Sequence, residues 1–296
     1  MTTTTRRTFV GAAAAIAASV AVPRFVLAAQ DVASPAASPG AGASLLQELG
    51  LPEIVVTATD GGLQIPADVT AGTVLLTLDN QSQAFASLAF VQLAEGVTQE
   101  DLEAGLSGGG IPDFAHESTL TGGVSAEPGQ RGSVAFDLAA GDWYVLNTGS
   151  GAPTVDTLTV TGEFAAIEIP AAAAIEMNHH DFTVPSGIGA GPQIWQLTNV
   201  DPVLHHIALL SYPGELTEDD VLALVMAEEG MGTPPAGLDL GAVGFVGESG
   251  LLSTGVSNWL EFDLQPATYA AVCFISDPGS DIPHVAQGMI EVFTVS

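Results

Sequence analysis

Three side chains of the kind that bind soft metal ions lie within 17 residues near the C-terminus. The only cysteine of the chain, Cys273, is followed by His284 and then by Met289. Thiolate, imidazole and thioether groups together favour copper over zinc or magnesium, and one type of copper site combines one Cys, two His and a weak axial Met. This stretch therefore contains all but one ligand of such a site.

The segments on either side of this stretch are typical of strands. Residues 268–272 are rich in β-branched and aromatic residues, and residues 290–295 alternate apolar and polar side chains. The three candidate ligands thus lie on one loop between two predicted strands. Such a loop can direct them towards a common centre.

The order Cys, His, four residues, Met before a final strand resembles the copper-binding loop of cupredoxins, the type 1 blue-copper proteins. Residues 284–289 (HVAQGM) are similar to that loop in plastocyanins and copper nitrite reductases. The resemblance implies one type 1 copper ion per chain, bound by His205, Cys273, His284 and Met289. It also implies that electrons pass through the exposed edge of His284.

The upstream histidine can be either of two neighbours, His205 and His206, which follow an Asn-containing turn. Adjacent strand residues face opposite ways, so only one of them can turn inwards. In the family the residue after the ligand is commonly Asn, which favours His205 as the ligand and makes His206 a hydrogen-bonding brace for the Cys loop. The opposite assignment stays open. The ten residues between Cys273 and His284 also make this loop longer than in small cupredoxins.

Three further histidines lie outside this pattern. His179 and His180 could hold a metal as a pair, but an exposed start of a strand is the favoured interpretation. His116 lies in a Gly/Ser-rich loop and is assigned no role.

The chain repeats itself at an offset of 119 residues, which places Asn80 on Asn199 and Thr98 on Thr217. Near the end of each copy the offset becomes 126, so the second copy contains seven additional residues. A unit of about 115 residues is an ordinary size for one β-sandwich domain. The repeat therefore predicts two domains of one kind.

The composition favours an all-β fold for both copies, because 34 Gly and 18 Pro suit short strands and many turns. We predict two tandem Greek-key β-sandwich, cupredoxin-like domains, residues 51–163 and 164–296. Each has one short helix, which begins at Thr98 or Thr217 with acidic residues in its first turn.

The repeat also provides an internal control for the site. His205 falls on Ala86, Cys273 on Asn147 and Met289 on Thr154, and the shortened first-copy loop has no histidine opposite His284. Residues needed only for packing should occur in both copies. These four occur only in the second, which favours a chemical role for them.

The N-terminus resembles a twin-arginine export signal, because Arg6 and Arg7 precede a short, Ala-rich apolar run. We predict a signal over residues 1–29, cleaved near Ala28 or Ala29, and a flexible linker over residues 30–50; an uncleaved anchor is the alternative. Export places the mature chain in the periplasm, on the cell surface or outside the cell. A single Cys excludes an intrachain disulfide, and metal binding would account for a lone thiol there.

The charge of the chain excludes one class of partner. Four basic residues face 34 acidic ones, for a formal net charge of −30, and only Arg131 lies beyond the predicted signal. A nucleic-acid-binding protein needs a basic surface, and anionic membranes are disfavoured as well. We predict no membrane span after signal cleavage, and a redox partner protein that could be basic.

These observations together favour an exported electron carrier rather than an enzyme. The alternatives are an extracellular protein that binds or delivers copper, and a copper oxidase or nitrite reductase-like enzyme. The enzyme would need a second copper wired through a His beside Cys273, but Val272 and Phe274 flank it.

Overall fold

A computed structural model describes residues 44–108, 111–149, 152–228, 233–280 and 282–296. The predicted signal and most of the predicted linker, residues 1–43, lie outside these ranges. Within them, no helix combines the length and the apolar character that crossing a bilayer requires.

The described part of the chain consists mainly of strands, in agreement with the predicted all-β class. The first half contains β1 (Glu53–Thr59), β2 (Gly62–Gln64), β3 (Val69–Asn80), β4 (Ala86–Gln92), β5 (Thr119–Ala126), β6 (Arg131–Leu138), β7 (Gly141–Asn147) and β8 (Thr154–Ala165). The second half contains β9 (Ala173–Asn178), β10 (Asp181–Thr183), β11 (Gly191–Asn199), β12 (Ala208–Tyr212), β13 (Gly244–Glu248), β14 (Ser257–Leu264), β15 (Ala267–Val272) and β16 (Ile290–Val295). The α-helices are α1 (Leu45–Glu48), α2 (Gln99–Gly108) and α3 (Glu218–Glu228), and short 3-10 helices cover Asp113–His116, Leu240–Ala242 and His284–Gln287.

The two halves pair their strands in the same order. In the first half β2-β1-β3-β6 and β5-β4-β7-β8 are hydrogen-bonded neighbours, and in the second half the orders are β10-β9-β11-β14 and β13-β12-β15-β16. In the first half β3 also pairs with β8, which joins these two groups of strands into one sheet. The predicted duplication is therefore visible in the strand pairing.

In each half, aromatic rings pack between strands that are not hydrogen-bonded neighbours. The ring of Phe90 on β4 lies 5.3 Å from that of Phe136 on β6. In the second half the ring of Trp195 on β11 lies 5.9 Å from that of Phe293 on β16. Phe90, Phe136 and Trp195 are buried in the main core cluster, and the partly buried Phe293 packs against that cluster.

The two longer helices begin with the same device. Thr98 Oγ1 accepts from the backbone N–H of Asp101, whose carboxylate accepts from the Thr98 N–H at 2.9 Å. Thr217 and Asp220 repeat both bonds at the start of α3. Satisfying the free N–H groups of the first turn in this reciprocal way stabilises a helix start. Both predicted caps are confirmed.

The end of the predicted flexible linker is a helix. Ser44 and Gln47 cap the start of α1, and Leu46 is fully buried in a cluster that includes Leu75 of the first half and Ile194 of the second. The predicted linker therefore ends in a short element that packs on both halves.

The halves are also joined through their sheets. Asn258 and Trp259 on β14 pair antiparallel with Phe136 and Ala135 on β6. This pairing makes one continuous sheet across the boundary between the two copies. The second half is therefore attached to the first by backbone hydrogen bonds as well as by side chains.

A buried asparagine fixes the same turn in each copy. Asn80 and Asn199 are fully buried, and each side-chain amide donates to the carbonyl four residues further along the chain. Each also donates to a facing segment, Asn80 to Ala126 O at 2.8 Å and Asn199 to Leu252 O at 2.8 Å. In the second copy the turn held in this way leads directly to His205.

Replacing either asparagine should destabilise the protein strongly. Asn80→Ala and Asn199→Ala each leave buried carbonyls without donors, and we expect the free energy of unfolding to fall by about 2 to 5 kcal/mol in urea titrations. Gln83→Ala, an exposed change in the turn that follows Asn80, should stay within about 0.5 kcal/mol of the original chain. Equal stabilities of all three variants would contradict this role.

Candidate metal centre

The four predicted ligands lie at one end of the second half. His205 lies between β11 and β12, and Cys273 follows β15 directly. His284 begins a 3-10 helix, and Met289 is the residue before β16. The connection between β15 and β16 therefore carries three of the four residues, as the sequence predicted.

Three donor atoms converge in the interior. Cys273 Sγ lies 3.5 Å from His284 Nδ1 and 3.8 Å from His205 Nδ1, and the two Nδ1 atoms are 3.0 Å apart. All three residues are fully buried. A metal ion about 2.0 Å from nitrogen and about 2.3 Å from sulfur can contact all three atoms at once. The donor set fits a single soft or borderline metal ion such as copper.

Met289 is tied to this group by its backbone. Its N–H donates to His284 O at 2.9 Å, and its carbonyl accepts from Cys273 N–H at 3.4 Å. The side chain is fully buried. The structure therefore brings Met289 beside both Cys273 and His284, and its role as an axial ligand stays a prediction.

The loop that carries these residues is folded tightly onto itself. His284 N–H donates to Ile275 O at 2.7 Å, and Val285 N–H donates to Cys273 O at 2.8 Å. Gly288 has a φ of 102°, a conformation that a residue with a side chain rarely adopts, and it turns the chain into Met289. These bonds fix the separation of Cys273 and His284 without a metal.

His205 is held by a segment that also contacts the first half. Leu252 N–H donates to His205 O at 2.8 Å, and the same residue forms a bridge with Thr121 on β5. Next to it, Ser253 N–H donates to Leu120 O at 3.0 Å. The first copy, which has none of the ligands, therefore supports the segment against which His205 lies.

His206 takes the place expected of a brace. Its ring is fully buried, and its Nε2 accepts from the backbone N–H of Phe274 at 2.9 Å. The structure groups His205, not His206, with Cys273 and His284. His206 instead fixes the residue that follows the cysteine.

Two residues beside the site were not predicted from the sequence. The ring of His180 lies on that of His284, with centroids 4.3 Å apart, and its Nε2 is 3.5 Å from the carboxylate of Asp277. Asp277 Oδ1 lies 3.2 Å from His284 Nε2. When the proton of His284 is on Nε2, this N–H group donates to the carboxylate, and the Nδ1 lone pair faces Cys273.

Two expectations from the sequence are therefore wrong. His284 has no exposed edge, because Asp277 and His180 cover it. His180 does not belong to an exposed strand start: its side chain is only 26% exposed, whereas that of the neighbouring His179 is 84% exposed.

His179 and His180 form an unusual turn between β9 and β10. Their φ angles are 45° and 60°, a left-handed conformation that costs a residue with a side chain about 1 to 3 kcal/mol. The first copy has Asp60-Gly61 at these positions, which are residue types that turns favour. Two histidines in place of Asp-Gly were the sequence signal that could have revealed this feature.

Burial controls the protonation of the donors. It lowers the pKa of His205 to about 4, with a further contribution from His284, and it lowers the pKa of His206 to about 3. It raises the pKa of the Cys273 thiol to about 12. Without a metal the site therefore holds neutral imidazoles and a thiol, and a bound metal would have to displace the thiol proton.

Comparison with known proteins gives copper proteins as structural neighbours. Auracyanin A, a blue copper protein from Chloroflexus aurantiacus, is 19% identical over 37% of this chain and 98% of its own, with a TM-score of 0.29. A reduced auracyanin from Roseiflexus castenholzii is 22% identical over 43% of this chain and 99% of its own, with a TM-score of 0.27. A copper nitrite reductase from Nitrosomonas europaea is 13% identical over 82% of this chain and 93% of its own, with a TM-score of 0.25.

No protein-family model and no curated protein matches the chain. The structural neighbours are proteins of the kind that the sequence resemblance indicated. They include a blue copper protein and a copper nitrite reductase. The function therefore rests on the geometry of the site.

The metal-free protein should lose stability as the pH falls below 6.5. The unfolded chain protonates its histidines near their ordinary pKa of 6.5, whereas folded His205 and His206 stay neutral down to about pH 4 and pH 3. The unfolded state therefore binds more protons in this range. Each residue should lower the free energy of unfolding by about 1.4 kcal/mol per pH unit.

Urea unfolding between pH 6 and pH 4.5 tests this expectation. His206→Gln keeps an acceptor for the Phe274 N–H but cannot be protonated, so its pH slope should be shallower by about 1.4 kcal/mol per pH unit. The same slope in both proteins would show that His206 is not held neutral by burial.

Proposed function

We propose that the chain is an exported blue-copper protein that carries single electrons through a type 1 copper site. The ligands in this proposal are His205, Cys273, His284 and Met289, with one copper ion per chain. The observation that carries the proposal is the convergence of one Sγ and two Nδ1 atoms, 3.0 to 3.8 Å apart, in a fully buried position. This donor chemistry is that of blue-copper electron-transfer sites.

Bound copper would supply the chemistry by alternating between Cu(I) and Cu(II). The protein's part is to hold the donors in one arrangement that suits both states. The hydrogen bonds within the Cys273 loop, the bond from Phe274 to His206 and the contact of Asp277 with His284 all support such a fixed arrangement. The buried setting of the sulfur and a weak contact from Met289 would tune the reduction potential.

The proposed architecture is a pair of Greek-key, cupredoxin-like domains, residues 51–163 and 164–296, after a signal over residues 1–29 and a linker over residues 30–50. The matching strand order of the two halves and the rings that pack between non-neighbouring strands support it. A twin-arginine signal would export the folded chain to the periplasm, the cell surface or the medium. The single, fully buried cysteine is compatible with an oxidising compartment.

The structure offers less support for the alternative functions. A copper-delivery protein must release its ion, whereas His180 and Asp277 cover His284. A copper oxidase or nitrite reductase needs an independent second metal site. In the described ranges the other group of potential ligands, His180, Asp277 and His284, shares His284 with the first. We therefore favour a carrier over an enzyme.

Addition of Cu(II) to the purified chain tests the proposal. We expect an intense blue thiolate-to-copper absorption band at one copper per chain. Cys273→Ser should abolish the band, because the sulfur that produces it is gone. His205→Ala should also lose the band, whereas the matched variant His206→Ala should keep a blue, though perturbed, site.

A colourless protein that binds copper, or a blue band that survives His205→Ala but not His206→Ala, would contradict the assigned ligands. Redox cycling separates the two remaining functions. A carrier should stay blue through repeated oxidation and reduction and lose copper slowly to a chelator. Rapid loss of the band to the chelator would favour delivery.

A further inference from the structure

His284 offers no solvent-exposed edge to a redox partner, because this residue is fully buried. Among the described residues, the aromatic ring whose centroid lies nearest to that of His284 is His180, at 4.3 Å and with planes inclined by 32°. The His180 side chain is 26% exposed. It therefore contacts His284 on one side and solvent on the other.

The position of His180 is fixed by its turn. Its own φ is 60°, and the backbone N–H of His179 donates to Asp201 Oδ2 at 2.6 Å. Asp201 is itself held by Asn199, whose Oδ1 accepts from the Asp201 N–H at 2.9 Å. Through Asp201, Asn199 therefore holds both the turn that carries His180 and the segment that leads to His205.

The surroundings of the turn are acidic. Asp277 lies 3.5 Å from His180, Asp201 lies beneath the turn, and Asp181 follows it with its side chain exposed. Arg131, the only Lys or Arg in the described ranges, lies on β6 of the first half, where it pairs with Asp79. Within the described ranges, therefore, no Lys or Arg pairs with the carboxylates around His180.

Two large apolar side chains are exposed on segments that lead to this turn or to His284. Val200 is 42% exposed, and its N–H donates to Met177 O, two residues before the turn begins. Ile282 is 56% exposed and lies two residues before His284. Protein-protein contact surfaces commonly combine exposed apolar side chains with charged ones.

We propose that the His179–His180 turn is the docking face at which a basic one-electron protein exchanges electrons with the site, through the ring of His180. This inference rests on the proposed function as an electron carrier. One electron leaves the reduced site and reduces the oxidised partner's centre by one electron; no bond forms or breaks. Negative charge at the turn attracts the basic partner, and the apolar side chains allow close contact.

Charge placed next to the docking face should alter the rate of electron exchange. His179→Lys adds a positive charge at the exposed neighbour of His180, and Gln265→Lys adds one at the other end of β15 from Cys273. The probe is cytochrome c, a lysine-rich one-electron protein. It is mixed by stopped flow with the copper-loaded full chain, and the two proteins start in the redox states from which electron transfer is spontaneous. We expect His179→Lys to slow the reaction by about three- to tenfold at low ionic strength.

Gln265→Lys should react at the rate of the original chain, and the effect of His179→Lys should disappear in about 1 M salt, where the screening length is about 3 Å. If both lysine variants keep the blue band and react at the same rate, the docking face lies elsewhere. This inference then fails, while the proposed function stands. If the original chain has no blue band, the proposed function fails first.

A measurement on the metal-free full chain tests directly whether His180 shields His284 from solvent. Diethyl pyrocarbonate modifies accessible imidazoles, and peptide mass spectrometry identifies the modified residues. We expect rapid modification of His179 and protection of His284. His180→Gly, which suits the positive φ of the turn, should make His284 reactive. Reaction of His284 at the rate of His179 in the original chain would overturn the proposal.

Discussion

The burial of three donor atoms within 4 Å of one another is the constraint on which the rest of the second half depends. A thiol and two imidazoles removed from water cost free energy unless other groups satisfy them. His205 Nε2 has no hydrogen-bond partner among the described residues, and the two Nδ1 atoms face each other at 3.0 Å. A metal ion satisfies such a group of lone pairs better than a few shared protons do. Backbone hydrogen bonds around the donors hold them in place despite this unfavourable free energy.

The first copy has kept the architecture of the second without its chemistry. Both copies hold a turn through a buried asparagine and begin their helix with the same Thr-Asp pair. The contact of Leu252 with both Thr121 and His205 gives the first copy a mechanical role. A duplicated domain without ligands can thus still contribute to a site, by supporting the element that presents one of its donors.

Local patterns in the sequence predicted much of this arrangement. The spacing of Cys273, His284 and Met289 indicated one loop, and the repeat identified the equivalent turns at Asn80 and Asn199. Period-2 alternation indicated the strands. These features depend on neighbours in the sequence, so a single chain is enough to reveal them.

The cover over His284 could not be predicted in the same way. It depends on a left-handed turn about 100 residues earlier in the sequence and on a long loop that brings Asp277 back against the imidazole. The family resemblance had implied an exposed edge. The contact of His180 with His284 is a tertiary feature, and only the exchange of Asp-Gly for His-His hinted at it.

The pairing of β14 with β6 has a consequence for how the chain avoids association with its own copies. Each of these strands is the outermost strand of its sheet in its own half, and unpaired backbone groups at such a position can recruit a strand from another molecule. Where Asn258 and Trp259 pair with Phe136 and Ala135, the two copies shield part of these edges from another molecule. Either copy released alone by a protease would present an open rim and become prone to aggregation.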